Sequence, residues 1–130
     1  MEQRPKSYKD LLVWQKGLTI VKRIYELTRS FPQDERFGLV IQMRRAAVSV
    51  PSNIAEGQSR HTSGEFIQFI SHAEGSLAEL DTQVLIAIEL GFCTQSQAEG
   101  ILSLIDESQR MLNGLRQKLA TRPSPLATHA

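Results

Sequence analysis

The chain has 130 residues, of which 41% are hydrophobic and 22% are charged, and its formal net charge is +1. This composition is ordinary for a globular protein, and the length predicts one domain. No apolar run reaches the roughly 18 residues that a membrane span needs, and the single cysteine, Cys93, excludes an intramolecular disulfide framework. Because the first residues also lack the apolar core of a secretion signal, we expect a cytoplasmic protein.

Charge is distributed unevenly along the chain. Residues 1–29 contain seven Lys or Arg and three Asp or Glu, whereas residues 63–91 contain five acids and no Lys or Arg. The segments between and after them are close to neutral. The sequence therefore predicts one basic helix and one wholly acidic helix.

Apolar residues recur at three- and four-residue spacing through most of the chain, which is typical of amphipathic helices. No alternating run predicts a strand. We predict an all-α fold, an antiparallel up-down-up-down four-helix bundle. The predicted helices cover about 11–29, 34–58, 63–91 and 95–120. Residues 1–9 are expected to form a flexible arm and residues 121–130 a disordered tail.

The ends of these helices have recognisable signals. Asp10, Ser63 and Thr94 are predicted N-caps, and the second helix is expected to start near Asp34. Gly91 is a predicted stop for the third helix. The predicted inward stripe of the first helix consists of Leu11, Trp14, Leu18, Val21, Thr28 and either Ile24 or Tyr25.

Pro51 lies inside the second predicted helix. Its ring removes one backbone donor and presses on the carbonyl of Ala47. Two outcomes are open: the helix bends and continues, or it stops and restarts with Ser52 or Asn53 as a new N-cap. We favour a kink at Pro51, because the apolar spacing runs through it without a change of phase.

Small residues surround this proline. Ala46, Ala47 and Ser49 allow a neighbouring backbone to come close. Gly75 and Ser76 of the third predicted helix offer a matching thin surface. We interpret these residues as close helix packing, and the alternative is a groove that the bend leaves open for a ligand.

Basic side chains of the first two helices and the following turn are the candidate residues for binding nucleic acid or a partner. They are Lys16, Lys22, Arg23, Arg44, Arg45 and Arg60. Such side chains contact phosphate backbones. The alternatives are a solvated face or, for the first helix, complementarity to the acidic third helix. Apart from Tyr25, no aromatic residues are interleaved with the basic residues of the first helix to stack on bases. Sequence-specific recognition of bases is therefore not indicated.

Metal and nucleotide motifs are not found in the sequence. His61, His72 and His129 lack the spacing of metal ligands. The run His72-Ala73-Glu74 lacks the Pro-Cys-x-x-Cys partner of zinc deaminases. No glycine-rich phosphate loop is present. We therefore predict no metal and no cofactor.

Other reactive residues have structural interpretations. Cys93 has no neighbouring base in the sequence and is expected to be a buried or half-buried thiol at a helix junction. Asn53 and Glu56 are expected to satisfy backbone groups that Pro51 frees, or to bind an arginine. We predict that the protein is not an enzyme, and the enzymatic alternative places Glu56 and Arg45 in a pocket at the Pro51 kink.

Several segments of the chain resemble one known family. The segments are Asp10–Lys16, Ile24–Tyr25, Phe31–Pro32, Glu35–Leu39, Gln42–Ala47, Ser49–Gly57 and Gly75–Glu79. They resemble the four helix bundle protein family, whose members are encoded within intervening sequences of bacterial 23S ribosomal RNA genes. The most specific segment contains six signature residues with a mainly structural role, namely Ser49, Pro51, Ser52, Asn53, Glu56 and Gly57.

The resemblance implies a left-handed bundle that assembles as a ring, a homopentamer. The chain is also similar to the accessory variability proteins of diversity-generating retroelements, which are pentameric and engage nucleic acid and a reverse transcriptase. The resulting hypothesis is a self-assembling protein that contacts RNA or a ribonucleoprotein, with the basic first helix and the acidic third helix as two sides of a head-to-tail contact. The alternative is a protein-binding scaffold that does not bind nucleic acid.

Overall fold

The structure is a computed structural model that describes residues 7–121 of the chain. This part of the chain forms four α-helices and no β-strand. The helices are Leu12–Thr28 (α1), Leu39–Gln58 (α2), Ser63–Glu89 (α3) and Gln95–Thr121 (α4). The predicted all-α four-helix fold is confirmed. Residues 1–6 of the predicted arm and residues 122–130 of the predicted tail lie outside the described residues.

A 3₁₀ turn, Tyr8–Asp10, precedes α1 where part of the flexible arm was expected. Ser7 Oγ accepts a hydrogen bond from the Lys9 N–H at 3.0 Å, and the Asp10 carboxylate accepts one from the Ser7 N–H at 3.4 Å. The prediction that Asp10 caps the first helix is wrong, because its carboxylate closes this turn instead. Leu11 occupies the N-cap of α1 without a side-chain hydrogen bond.

The second helix begins at Leu39, later than the predicted start near Asp34. Gln33–Glu35 forms a 3₁₀ turn, and Gly38 departs from helical geometry with φ −107° and ψ −110°. The Glu35 carboxylate accepts a hydrogen bond from the Leu39 N–H at 3.2 Å. This carboxylate therefore caps α2 from outside the helix, which explains the delayed start.

The N-caps of α3 and α4 are both threonines. Thr62 Oγ1 accepts a hydrogen bond from the Glu65 N–H at 3.1 Å. The prediction of Ser63 as this cap is wrong by one residue, because Thr62 has the extended backbone of an N-cap and Ser63 is already helical. The predicted cap at Thr94 is confirmed, since Thr94 Oγ1 accepts from the Gln97 N–H at 3.1 Å and the Gln97 side chain accepts from the Thr94 N–H at 2.9 Å.

Gly91 ends α3 as predicted and has a φ of +77°. The Gly91 N–H donates to the carbonyl of Ile88 at 3.0 Å, and the Phe92 N–H donates to the carbonyl of Ala87 at 2.9 Å. These two bonds form a Schellman motif, in which a residue at positive φ lets the chain turn away from the helix. A side chain at this position would be strained, so glycine is required here.

Each helix packs against its neighbour in sequence, and α1 also packs against α4, whereas no Cα atom of α1 comes within 8 Å of one in α3. Lys16 of α1 meets Glu107 of α4. Further along α1, Arg23 meets Gly100, which comes earlier in α4. These two contacts show that α1 and α4 run in opposite directions. The left-handed supercoil stays a prediction.

The predicted inward stripe of the first helix is confirmed in part: Ile24 and Thr28 are buried, whereas Leu18 is not. The buried residues of this helix are Val13, Gly17, Ile20, Ile24 and Thr28. Leu18 and Tyr25 are exposed, and Leu11, Trp14 and Val21 are half-buried at the edge of the core. The predicted stripe followed the larger apolar side chains. The structure instead turns Gly17 inward, against Pro51 of α2.

Pro51 is buried, and α2 continues through it, so the alternative of a stop and restart is wrong. The bend of the helix at Pro51 stays a prediction. A Cβ placed on Gly17 would lie 3.2 Å from Pro51 Cβ. On this side of the proline α1 therefore occupies the space that a ligand groove would need, which supports the interpretation of close packing.

A second close approach joins α2 and α3. A Cβ placed on Gly57 would lie 2.7 Å from Phe66 Cδ1 and 2.9 Å from Phe69 Cβ. A real Cβ essentially never comes this close to a non-bonded carbon, so a larger residue at position 57 would push the two helices apart. Gly57 thus sets the spacing of α2 and α3 at one end of the bundle.

We expect the substitution Gly57→Ala to lower the free energy of unfolding by roughly 1–2 kcal/mol, because overpacking outweighs the gain in helix propensity. The matched control is Gly114→Ala in α4, where a Cβ would meet nothing within 4 Å. This control should raise the free energy of unfolding by up to about 1 kcal/mol. Urea unfolding at one fixed protein concentration measures both, and equal effects of the two substitutions would contradict the close approach.

Candidate partner and nucleic-acid interface

Three of the six candidate basic side chains are engaged within the chain. Lys16 Nζ lies 2.9 Å from a carboxylate oxygen of Glu107 in α4. Arg60 lies 3.8 Å from the carboxylate of Glu56, and its guanidinium is 4.7 Å from the centre of the Phe69 ring. These contacts leave the two side chains partly neutralised at the surface. The expectation that Glu56 binds an arginine is confirmed by its pair with Arg60.

Arg44 is the third engaged side chain, and it is held in the contact between α1 and α2. Its Nε donates to Thr28 Oγ1 at 3.0 Å, and an Nη nitrogen donates to the Tyr25 carbonyl at 3.4 Å. The guanidinium lies 4.3 Å from the centre of the Tyr25 ring. Arg44 is therefore fixed in one direction, and a ligand that reaches it would meet a preorganised cation.

The remaining candidates, Lys22, Arg23 and Arg45, are exposed, and none has a hydrogen-bond or ion-pair partner among residues 7–121. Arg23 lies over Gly100 on the α4 side of α1. The six candidates therefore do not form one surface: they divide between the α1–α4 side, the α1–α2 side and the turn after α2. This division could not be read from the sequence, because it depends on the rotation of α1.

The signature segment forms a hydrogen-bonded contact between α2 and α3. Ser49 Oγ and Ser76 Oγ are 2.8 Å apart. Asn53 Nδ2 donates to Ser49 Oγ at 2.9 Å and to the Ser49 carbonyl at 2.8 Å. The predicted close packing of this small-residue segment against Ser76 is thus confirmed. The prediction that Gly75 forms part of this contact is wrong. Gly75 faces away from α2, and a Cβ there would meet nothing within 4 Å.

The other signature residues are mostly structural. Pro51 and Gly57 are buried in the close approaches to α1 and α3, whereas Ser52 is exposed on the outer face of α2. Asn53 bonds the carbonyl of Ser49, which is not the Ala47 carbonyl that Pro51 frees. The segment therefore joins three helices and does not gather reactive groups around a cleft.

An apolar groove runs along the outside of α1 and α2. A cavity of about 440 Å³ lies between them and is lined by Tyr25, Ile41, Arg44, Arg45, Val48 and Ser49. Leu18 lies two turns before Tyr25 on the same exposed side of α1, and Lys22 lies between them. We name this surface the basic groove and define it by Leu18, Lys22, Tyr25, Ile41, Arg45 and Val48.

The outer side of α3 carries a second exposed apolar surface of opposite charge. Leu85, Ile86 and Leu90 are exposed at the end of α3, next to the exposed carboxylates of Glu79 and Glu89. We name this surface the acidic face and define it by those five residues. The alternative in which basic α1 pairs with acidic α3 within one chain is wrong, because the two helices lie at opposite corners of the bundle and no ion pair joins them among residues 7–121.

A cavity at the turn between α1 and α2 was missed by the sequence analysis. Its volume is about 510 Å³, and its lining includes the guanidinium side chains of Arg29, Arg36 and Arg44. Arg29 and Arg36 lie on either side of Phe31–Pro32. Because this segment breaks the helix, the periodicity of a helix cannot relate the two arginines. The turn itself brings them together.

The described residues do not present a metal or membrane-spanning feature. No group of three or more His, Cys, Asp or Glu within residues 7–121 is arranged to hold a metal ion. None of the helices in that range is long and apolar enough to cross a membrane. Cys93 is buried as expected, and burial raises the pKa of its thiol, which disfavours the nucleophilic thiolate.

Comparison with known sequences gives one family. The model of the family described as 23S rRNA-intervening sequence protein matches residues 9–114. The chain belongs to this family. The residues that match the 23S rRNA-intervening sequence proteins include those of the basic groove, the acidic face and the whole signature segment. No curated protein sequence matches the chain.

A solved structure agrees with this assignment at the level of the fold. It is the crystal structure of a protein with unknown function from the S23 ribosomal protein family of Bacteroides thetaiotaomicron. The two structures superpose with a TM-score of 0.74 and 22% sequence identity, over 82% of this chain and 99% of the other. At this identity the superposition shows that the two proteins share a fold. It does not assign an activity to the 23S rRNA-intervening sequence protein described here.

We expect Ser49→Ala to lower the free energy of unfolding by about 1–2 kcal/mol, because it removes a hydrogen bond to Ser76 and leaves the Asn53 amide with one acceptor fewer. The control is Ser52→Ala, an exposed serine in the same signature segment, which should change stability by less than about 0.5 kcal/mol. Thermal and urea unfolding of both variants test this. If Ser49→Ala were as neutral as Ser52→Ala, the structural role of the signature would be contradicted.

Proposed function

We propose that this protein is a non-enzymatic, self-assembling bundle of the cytoplasm whose copies join head-to-tail and whose assembly contacts RNA. The observation that supports assembly is the pair of exposed apolar surfaces described above, the basic groove and the acidic face. Each combines apolar side chains with charges of one sign. Surfaces of this kind are typical of protein interfaces, since isolated exposed apolar residues need no partner but contiguous ones do.

The partner that fits the basic groove best is the acidic face of a second copy. Ile41 and Val48 provide apolar area in the groove, and Lys22 and Arg45 lie beside it without partners among residues 7–121. The acidic face offers apolar side chains with carboxylates beside them, and α3 itself contributes no cation, because residues 63–91 lack Lys and Arg. Opposite charges around apolar centres favour this pairing over the pairing of like surfaces.

A contact between two different surfaces of one chain is heterologous, and it repeats. Each copy that uses its basic groove leaves its acidic face available for the next copy. Such contacts generate a closed ring when the rotation between copies closes, and an open filament when it does not. We propose a closed ring of five copies, the number implied by the resemblance of the sequence to the four helix bundle family.

We expect Ile86→Asp to convert the assembly to a single-chain mass at micromolar concentration. A charge at the centre of an apolar contact should weaken it by roughly 2 kcal/mol or more, which is about 30-fold in Kd. The matched control is Leu12→Asp, since Leu12 is 57% exposed, Ile86 is 42% exposed, and Leu12 belongs to neither surface. Light scattering of the wild type, the variant and the control gives the three masses.

A wild-type chain with the mass of one copy at micromolar concentration would rule out self-assembly. Loss of assembly in the Leu12→Asp control would instead place the contact elsewhere on the molecule. The variant Arg45→Glu gives an independent test from the other surface. It should weaken assembly at low salt and have a smaller effect at high salt, because charge pairs at an interface rim are screened.

RNA contact is the second part of the proposal. When Lys22 and Arg45 face a second copy, Arg23 on the α1–α4 side is left as a candidate for a phosphate contact, together with Lys16 and Arg60. The carboxylates that Lys16 and Arg60 contact are both partly exposed, so an RNA phosphate can compete with them. The family description, which refers to 23S rRNA, supports RNA as the polyanion to test.

We expect filter binding of 23S ribosomal RNA fragments to be strong at about 50 mM salt and much weaker at about 200 mM salt. Arg23→Gln should weaken binding several-fold and reduce the salt slope by about one, because one phosphate contact is lost. Arg110→Gln, an exposed arginine of α4 outside the candidate set, is the control. Undetectable binding by the wild type at low salt would exclude this part of the proposal. A protein partner that remains bound after nuclease treatment would then favour the alternative of a protein scaffold.

A further inference from the structure

The cavity at the turn between α1 and α2 is a concentration of positive charge. Two of its three arginines, Arg29 and Arg36, lie outside both proposed assembly surfaces, and the third, Arg44, also lines the cavity of the basic groove. The residues that line the cavity at the turn are Thr28, Arg29, Phe31, Pro32, Gln33, Arg36, Val40 and Arg44. Three of these side chains are guanidinium groups, and none of the described residues that line the cavity is acidic. A concave site with three cations and no carboxylate in its wall is suited to an anion.

The position of Arg44 is fixed by the fold. Thr28 accepts a hydrogen bond from its Nε at 3.0 Å, and the Tyr25 ring lies beneath its guanidinium at 4.3 Å. A guanidinium that is already ordered loses little conformational entropy when it binds a ligand. Arg44 therefore places a preorganised cation in the wall of the cavity.

Arg29 and Arg36 provide the two exposed sides of the cavity. Both are exposed, and neither side chain has an ion-pair or hydrogen-bond partner in the described part of the chain. The nearby acid Glu35 is not in the lining, and its carboxylate accepts the hydrogen bond from the Leu39 N–H. The charge of these two arginines is therefore left for a ligand.

The chemistry of the lining favours a phosphate group. Guanidinium groups form paired hydrogen bonds with phosphate oxygens, and three of them balance a phosphate or diphosphate better than a single carboxylate. The buried side chains of Phe31 and Val40 form an apolar part of the wall. A volume of about 510 Å³ lies within the usual range of about 300–1,000 Å³ for ligand pockets and admits a phosphate with its attached sugar.

We propose that the cavity between Arg29, Arg36 and Arg44 binds phosphate groups, and that RNA supplies them in the assembled protein. The choice of RNA as the source rests on the proposed function, whereas the binding of phosphate does not. The phosphate belongs either to the 5′ end of the RNA or to its backbone. Both sources present the same group to the three arginines.

Calorimetric titration of the full chain with pyrophosphate at low salt tests the site directly. We expect saturable binding by the wild type and at least about tenfold weaker binding by the double variant Arg29→Gln/Arg36→Gln, because two charge-assisted contacts are lost. Both positions are exposed, so thermal unfolding should be unchanged. Arg110→Gln, whose partner is Asp106 on α4, should bind pyrophosphate as the wild type does. Equal pyrophosphate binding by wild type and double variant would overturn the proposal.

Two RNA oligonucleotides of one sequence, with a 5′-phosphate and with a 5′-hydroxyl, separate the sources. Stronger binding of the phosphorylated form, abolished in the double variant, assigns the cavity to the RNA end. Equal binding of both forms, weakened in the double variant, assigns it to the backbone. Unchanged RNA binding in the double variant overturns RNA as the source and leaves the RNA contact of the proposed function intact. Pyrophosphate binding by a wild type that binds no RNA leaves the phosphate site intact and excludes the RNA contact.

Discussion

The contact between Gly17 and Pro51 determines how α1 is rotated about its axis. Because Gly17 has no side chain, α1 can approach the proline ring until a Cβ at this position would be only 3.2 Å from Pro51 Cβ. With Gly17 turned inward, Ile20 and Ile24 enter the core, and Leu18 and Tyr25 turn outward. The exposed groove on α1 and α2 thus follows from one close approach, and a larger residue at position 17 would disturb both the core and the surface.

The fold could be predicted from the sequence because helix periodicity and capping act locally. Thr94 and Gly91 carry signals that depend on a few neighbouring atoms, and both were predicted at the correct residue. The start of α2 was not, because the Glu35 carboxylate caps Leu39 across a glycine that leaves helical geometry. The rotation of α1 was also missed, since it depends on the fit of a small residue against another helix and not on the hydrophobicity of the stripe.

The candidate site was less predictable than the fold, for the same reason. Counting cations in the sequence cannot show that Lys16 lies beside Glu107, or that Arg44 lies on the Tyr25 ring. It also cannot show that Arg29 and Arg36 line the same cavity at the turn between α1 and α2. Whether a charge is available to a ligand depends on which helices become neighbours. The sequence nevertheless contained the separation of basic and acidic helices, and the fold places these helices, α1 and α3, at opposite corners of the bundle.

That diagonal placement gives each copy a transverse electric dipole although its formal net charge is +1. Two copies that diffuse toward each other experience a torque that turns the positive side of one toward the negative side of the other before their surfaces touch. Oriented encounters of this kind accelerate association and lose their advantage as ionic strength rises. The rate at which copies join is therefore expected to be sensitive to salt, even for a molecule whose overall charge is close to zero.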